Sequence, residues 1–120
     1  MRVDKLVKVA VAALEDIKAR DIVVLDVKRL TAMFDKIIIA SADSTRQSRA
    51  LARNLQDKLK AQGAPPRGVE GEQSGEWILV DLGAVVVHIM QPVVRRYYNL
   101  EELWAPPRPK RRRPGGRPAA

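Results

Sequence analysis

The segment Glu76–Met90 reads EWILVDLGAVVVHIM, two runs of β-branched and apolar residues on either side of one glycine. Such runs, joined by a short glycine-containing connection, predict a β-hairpin. We expect strands at Glu76–Leu82 and Ala84–Met90, with Leu82-Gly83 as a two-residue turn. The fold is built around this hairpin, because the segments on either side of it must supply the layers that cover its apolar surface.

Side chains alternate across a strand, so the predicted hairpin has two different faces. With the predicted turn, Trp77 lies opposite His88. One face is purely aliphatic and belongs against helices. The other face mixes apolar, aromatic and polar groups, and it consists of Trp77, Leu79, Asp81, Val86, His88 and Met90. Such a mixture is typical of the centre of a protein–protein interface, and it is equally compatible with cover by a further helix. The residues alone leave both interpretations open.

The chain before the hairpin alternates between helical and strand patterns. Val3–Ala19 carries apolar residues at the three-and-four spacing of one helix face. Asp21–Val27 and Lys36–Ala40 are apolar on both faces, which predicts interior strands. Ser44 and Gln47 match a capping box at the start of a second helix.

The segments around the hairpin complete one domain. We expect a loop over Gly68–Gly75 and a helical turn with a short helix over Val93–Trp104. Tyr97 and Tyr98 either pack this last segment onto the sheet, which we favour, or form a nucleic-acid platform. The order of elements predicts an α/β (α+β) fold with a mixed sheet of four to five strands.

Basic residues concentrate at the carboxyl end. Residues 106–120, the tail, hold six of the 22 basic residues and none of the 14 acidic ones, so residues 1–105 carry a net charge of only +2. We expect a domain at 1–105 and a disordered tail at 106–120. The tail binds RNA phosphates, acts as a nuclear import signal, or only aids solubility. Its candidate RNA contacts are Arg108, Lys110, Arg111, Arg112 and Arg113.

The composition argues against most catalytic and metal sites. There is no cysteine, His88 is the one histidine, and no Asp-x-Asp pair exists for two-metal chemistry. We therefore expect a binding module without cofactor or metal rather than an enzyme. No apolar run is long enough to span a bilayer, and the charged N-terminus does not resemble a secretory signal. We expect a protein of the cytoplasm or an organelle, with no membrane partner.

Several segments, in this order and spacing, carry a resemblance to a known family. They are Ala13–Asp16, Asp21–Val27, Asp35–Ser41, Ser44–Gln47, Glu70-Gly71, Trp77–Asp81, Val85–Ile89, Arg96–Tyr98 and Leu100–Trp104. Over residues 3–104 the chain resembles the ribosomal silencing factor family, also called Iojap-related proteins. The basic tail is not part of the family pattern, so its contact with ribosomal RNA is a hypothesis of its own.

The resemblance implies both a fold and a function. The fold is akin to that of nucleotidyltransferases without their catalytic carboxylates. The function is binding to the large ribosomal subunit through its protein fourteen, which blocks joining of the small subunit and represses translation when nutrients are short. A role in large-subunit assembly through the same surface is the alternative, and that surface also suits a homodimer. The implied partner-binding residues are Trp77, Leu79, Asp81, His88, Met90, Arg95 and Tyr98.

Overall fold

Five strands and four helices make up residues 1–104, which are the residues that the computed structural model describes. They follow one another as α1 (Val3–Asp16), β1 (Arg20–Asp26), β2 (Lys36–Ser41), α2 (Thr45–Ala61), β3 (Gly68–Glu70), β4 (Trp77–Asp81), β5 (Val85–Met90), α3 (Pro92–Tyr98) and α4 (Leu100–Trp104). Within this part of the chain no helix has the length and apolar character needed to cross a membrane. The predictions for the tail concern residues outside it.

The strands form one mixed sheet in the order β1-β2-β5-β4-β3. β2 and β5 are parallel neighbours, and the other neighbouring pairs are antiparallel. The predicted α+β fold with a mixed sheet is therefore confirmed, with five strands. β2, β5 and β4 lie inside the sheet, and β1 and β3 are its edges.

The first face of the sheet is the aliphatic one, and it packs against α1 and α2. Leu6 and Leu14 of α1 and Leu51, Leu55 and Leu59 of α2 are buried against it. The sheet contributes Ile38, Ala40, Ile78, Val80, Val85, Val87 and Ile89 to this cluster. Burial of so many aliphatic side chains is the main driving force for the fold.

The start of α2 is fixed by the predicted cap. The Ser44 hydroxyl accepts a hydrogen bond from the Gln47 backbone N–H at 3.0 Å. The Gln47 side chain reaches back one residue further than expected, because its oxygen accepts from the backbone N–H of Asp43 at 2.7 Å. Its amide nitrogen also donates to the carbonyls of Ile17 and Lys18. One glutamine thus ties the beginning of α2 to the end of α1.

The second face of the sheet is covered only in part. Val94 and Trp104 from the C-terminal helices pack against a small cluster formed by Val27, Ile37, Ile39, Met90 and Leu100. Trp104 makes an edge-to-face contact with Phe34, with ring centroids 5.5 Å apart. The C-terminal segment therefore covers the second face over β2 and β5, whereas much of β4 stays uncovered.

The register of the hairpin differs from the predicted one by two residues. The turn consists of Gly83 and Ala84, closed by a hydrogen bond of 2.9 Å from the Leu82 N–H to the Val85 carbonyl. Gly83 has a φ of +92°, which suits the first position of such a turn. Trp77 consequently lies opposite Met90 and not opposite His88. Because side chains repeat every two residues, this shift leaves every residue on its predicted face.

Three further expectations about elements are wrong. The strand predicted at 21–27 is not interior: β1 is an edge strand, and its Val24 is exposed. The segment 68–75 is not only a loop, because its first residues, Gly68–Glu70, pair with β4. α1 also ends earlier than predicted, at Asp16, since the chain turns through Lys18 with a φ of 62°.

Candidate interaction surface

The uncovered part of the second face and the adjoining edge of α3 form a continuous surface, which we call the open strip. It consists of Trp77, Leu79, Asp81, Val86, Tyr97 and Tyr98, all of them partly or largely exposed. Leu79 and Val86 belong to neither hydrophobic cluster of the described chain. Exposed apolar side chains that lie together mark a site of interaction more often than scattered ones do.

Aromatic rings connect the sheet to α3 along the open strip. The ring centroids of Trp77 and Tyr98 are 4.9 Å apart, and those of Tyr98 and Tyr97 are also 4.9 Å apart. These separations lie within the range at which aromatic pairs attract each other. Tyr98 is 53% exposed and Tyr97 is 79% exposed, so both rings remain available to a partner.

His88 lies beneath this surface rather than on it. The side chain is 8% exposed, and its Nδ1 accepts a hydrogen bond of 3.0 Å from the indole N–H of Trp77. Burial lowers the pKa of His88 to about 4, because the charged imidazolium loses its hydration there. His88 is therefore neutral at physiological pH, with Nδ1 unprotonated.

Two other residues of the expected site are enclosed within the protein. Met90 is fully buried in the small cluster under the C-terminal helices. Arg95 is 9% exposed, and its guanidinium donates to Ser41 Oγ at 2.8 Å and to Glu101 Oε2 at 2.7 Å. Both residues therefore support the open strip from inside the protein and are not part of its exposed surface.

Asp81 and Glu70 give the open strip an acidic rim. Glu70 lies opposite Leu79 across the β3–β4 pair, on the same face. Asp81 is partly exposed, and its Oδ1 accepts a hydrogen bond of 2.8 Å from the backbone N–H of Gly83. This bond stabilises the hairpin turn and still leaves the second carboxylate oxygen for a partner.

Gly71 lets the loop after β3 approach Trp77 closely. Its φ of +89° is unfavourable for other residues, and a Cβ at this position would collide with the Trp77 carbonyl oxygen. Glu70, Gly71, Trp77 and Leu79 line a depression at this edge of the strip. Any larger residue at position 71 would move the backbone that carries the indole.

The exposure of α3 was not predicted from the sequence pattern. The expectation that Tyr97 packs the C-terminal segment onto the sheet is wrong, because Tyr97 is the most exposed ring of the open strip. Trp104 is the aromatic residue that anchors this segment, against Phe34. The sequence gives no signal of this exposure, because Val93 and Tyr97 have the four-residue spacing that elsewhere in this chain marks a buried helix face; both are largely exposed.

The described residues hold no group of three or more side chains that would suit a metal ion.

Comparison with known proteins identifies the family. The family model described as "Ribosomal silencing factor during starvation" matches residues 1–116. The match therefore extends into the basic tail, which we expected to lie outside the family pattern. The chain belongs to the ribosomal silencing factor family. It is 50% identical over 109 residues to a ribosomal silencing factor of Chromobacterium violaceum, with 91% of this chain and 89% of that protein covered.

A solved structure and a more distant relative also support membership of the ribosomal silencing factor family. A crystal structure of a Chromobacterium violaceum protein superposes on this chain with a TM-score of 0.86 at 50% identity, and the alignment covers 92% of each chain. A mouse protein named for mitochondrial assembly of the ribosomal large subunit is 36% identical over 97 residues. That alignment covers 78% of this chain and 42% of the mouse protein.

Proposed function

We propose that this protein binds the large ribosomal subunit through its protein fourteen, with the open strip as the docking surface. The bound protein then occupies space that the small subunit needs, and so it represses translation when nutrients are limiting. The mechanism requires no catalytic step, since binding and occlusion suffice. It would place the protein in the cytoplasm, where ribosomes are.

The incomplete cover of the second face carries this proposal. A chain of a family named for ribosome silencing leaves Leu79, Trp77 and Tyr98 accessible on a largely preformed surface. Aromatic residues with partly exposed aliphatic neighbours are the usual centre of a protein–protein interface. Because contacts between the rings already restrict their motion, less side-chain entropy is lost when a partner binds.

The acidic rim supports a ribosomal protein as the partner. Proteins that are held on RNA carry many lysines and arginines, because these neutralise phosphates. Glu70 and Asp81, next to the apolar centre, would face such basic groups and orient the complex.

A subunit-joining assay tests the proposed mechanism. We expect the wild-type protein to slow the association of separated subunits, followed by light scattering, and Leu79→Glu to lose this effect. A charge buried at the centre of an interface costs roughly 2 kcal/mol or more, which is about a 30-fold loss of affinity. Val24→Glu, at an exposed position of the distant edge strand β1, is the matched control and should act like wild type. Subunit joining that the wild-type protein does not slow would refute the steric mechanism.

An assembly role is the second candidate function, and the name of the mouse relative favours it. An assembly factor would hold the same surface of the large subunit during maturation. Cells that lack the protein would then accumulate immature large subunits during rapid growth. Under the silencing mechanism the loss would instead be felt when nutrients become limiting, with mature subunits present in normal amounts.

Self-association is a further property that the open strip permits. An apolar strip that pairs with a partner also suits a second copy of the same chain. Such a homodimer would bury the docking residues and compete with ribosome binding. Sedimentation velocity would then detect a dimer that Leu79→Glu converts to a monomer.

The basic tail supplies a second contact in this proposal. Its arginines and lysine would lie against ribosomal RNA near the docking site, where they would neutralise phosphates without reading sequence. The residues assigned to this contact are Arg108, Lys110, Arg111, Arg112 and Arg113.

A further inference from the structure

The indole of Trp77 is held on two sides. Its N–H donates to His88 Nδ1 at 3.0 Å, and its ring packs against Tyr98 with centroids 4.9 Å apart. The register explains the first contact: Leu79 is the residue opposite His88, so Trp77 lies diagonally across from the histidine on the same face. Diagonal neighbours on antiparallel strands are within reach of long aromatic side chains.

His88 is suited to hold the indole and poorly suited to contact a partner. It is 8% exposed, and the nitrogen that faces the open strip is already used by Trp77. An indole N–H can only donate, so it needs an acceptor, and an unprotonated imidazole nitrogen provides one without adding a charge to an apolar surface.

We propose that His88 is a positioning residue for docking: it fixes the orientation of the Trp77 indole before the partner arrives and does not itself contact the partner. This inference rests on the proposed function, because it concerns the same surface. Its physical basis is preorganisation, since a large side chain that is already fixed loses little entropy on binding. Removing the acceptor frees the indole and should weaken binding by roughly three- to tenfold.

The test compares two substitutions at one position. His88→Leu removes the acceptor and keeps an apolar side chain, whereas His88→Asn keeps an oxygen near the place of Nδ1. Hydrogen exchange of the Trp77 indole N–H, followed by NMR and assigned with Trp77→Phe, reports on the free protein. Affinity for purified large subunits reports on docking, and circular dichroism checks the fold of each variant.

We expect His88→Leu to lose the protection of the indole N–H and to bind roughly three- to tenfold more weakly, and His88→Asn to restore both properties. In a Trp77→Phe background, His88→Leu should weaken binding no further, because the N–H that it would orient is absent. If His88→Leu folds poorly, the comparison of His88→Asn with the wild-type protein still tests the inference.

Three results would overturn the inference. Binding by His88→Leu at the wild-type level would separate the histidine from docking. Equal weakening in His88→Asn, with the indole protected, would mean that His88 contacts the partner directly. If the wild-type protein does not bind large subunits, both the proposed function and this inference are contradicted. This outcome is seen with the wild-type protein alone, whereas the other two outcomes are seen only with the variants.

Discussion

His88, which lies beneath the open strip, makes the stability of the fold depend on pH because it is buried in its neutral form. Its pKa is about 4 in the folded protein, against about 6.5 in an unfolded chain. Between these values the unfolded chain takes up a proton that the folded protein does not. The free energy of unfolding therefore falls as pH decreases through this window, and above pH 6.5 the contribution of His88 is complete.

We predict that this histidine makes the wild-type protein more sensitive to acid than His88→Asn is. Between pH 7 and pH 4 the wild-type protein should lose about 3 kcal/mol more of its free energy of unfolding than the variant loses. Urea unfolding at several pH values measures the difference, and the carboxylates titrate alike in both proteins. Parallel stability curves for the two proteins would contradict the burial of a neutral His88.

At the same scale, the sequence was sufficient to place side chains on faces but not to assign their burial. Strand alternation put Trp77, Leu79 and His88 on one face, and the structure agrees, because alternation survives a register error of two residues. Met90 and Arg95 are buried, since their exposure depends on where α3 and α4 pack. That packing is a tertiary property that no local pattern reports.

Among the elements, the two C-terminal helices determine how much of the second face is open. Arg95 of α3 joins them to the sheet, because its guanidinium binds Ser41 of β2 and Glu101 of α4. The Glu101 carboxylate is itself only partly exposed, so the ion pair is shielded from water. Loss of the arginine would leave a partly buried charge and a buried hydroxyl without this partner.

We predict that Arg95→Ala lowers the free energy of unfolding by about 3 kcal/mol. Arg96→Ala is the matched control: the neighbouring arginine is exposed, and its loss should change stability by less than about 0.5 kcal/mol. Chemical denaturation of the two variants measures both values. Equal stability of the two variants would show that the Arg95 contacts do not hold the helices to the sheet.

The elements themselves were largely predictable, and the exceptions have physical causes. The capping residues and the leucine spacing predict helix α2, and the Ser44 hydroxyl accepts the expected hydrogen bond. The sequence predicts an interior position for β1 because a partly covered edge strand can be as apolar as an interior strand. β3 was missed because Gly68–Glu70 carries almost no strand signal of its own and is defined by its pairing with β4.

At the scale of the whole molecule, most of the net charge and the proposed docking surface lie in different parts of the chain. Residues 1–105 are nearly neutral, and the tail carries most of the net charge of +8. If the tail binds ribosomal RNA as proposed, the tail accounts for most of the salt dependence of subunit binding, and the open strip accounts for the proposed affinity for protein fourteen.

We predict that deleting residues 106–120 weakens binding to large subunits and flattens its dependence on salt. For every phosphate that the tail no longer neutralises, the slope of log K against log salt concentration should become shallower by about 0.7 to 0.9. Deletion of residues 114–120 alone removes only one of the six basic residues and is the control. An unchanged slope in the full deletion would exclude the RNA contact.

Co-sedimentation with separated ribosomal subunits is the most direct test of the docking surface. Wild-type protein and the Val24→Glu control should migrate with large subunits and not with small ones, whereas Leu79→Glu should stay at the top of the gradient with a native circular dichroism spectrum. Migration of Leu79→Glu with large subunits at the wild-type level would contradict the open strip as the docking surface, and absence of the wild-type protein from large subunits would contradict the partner itself.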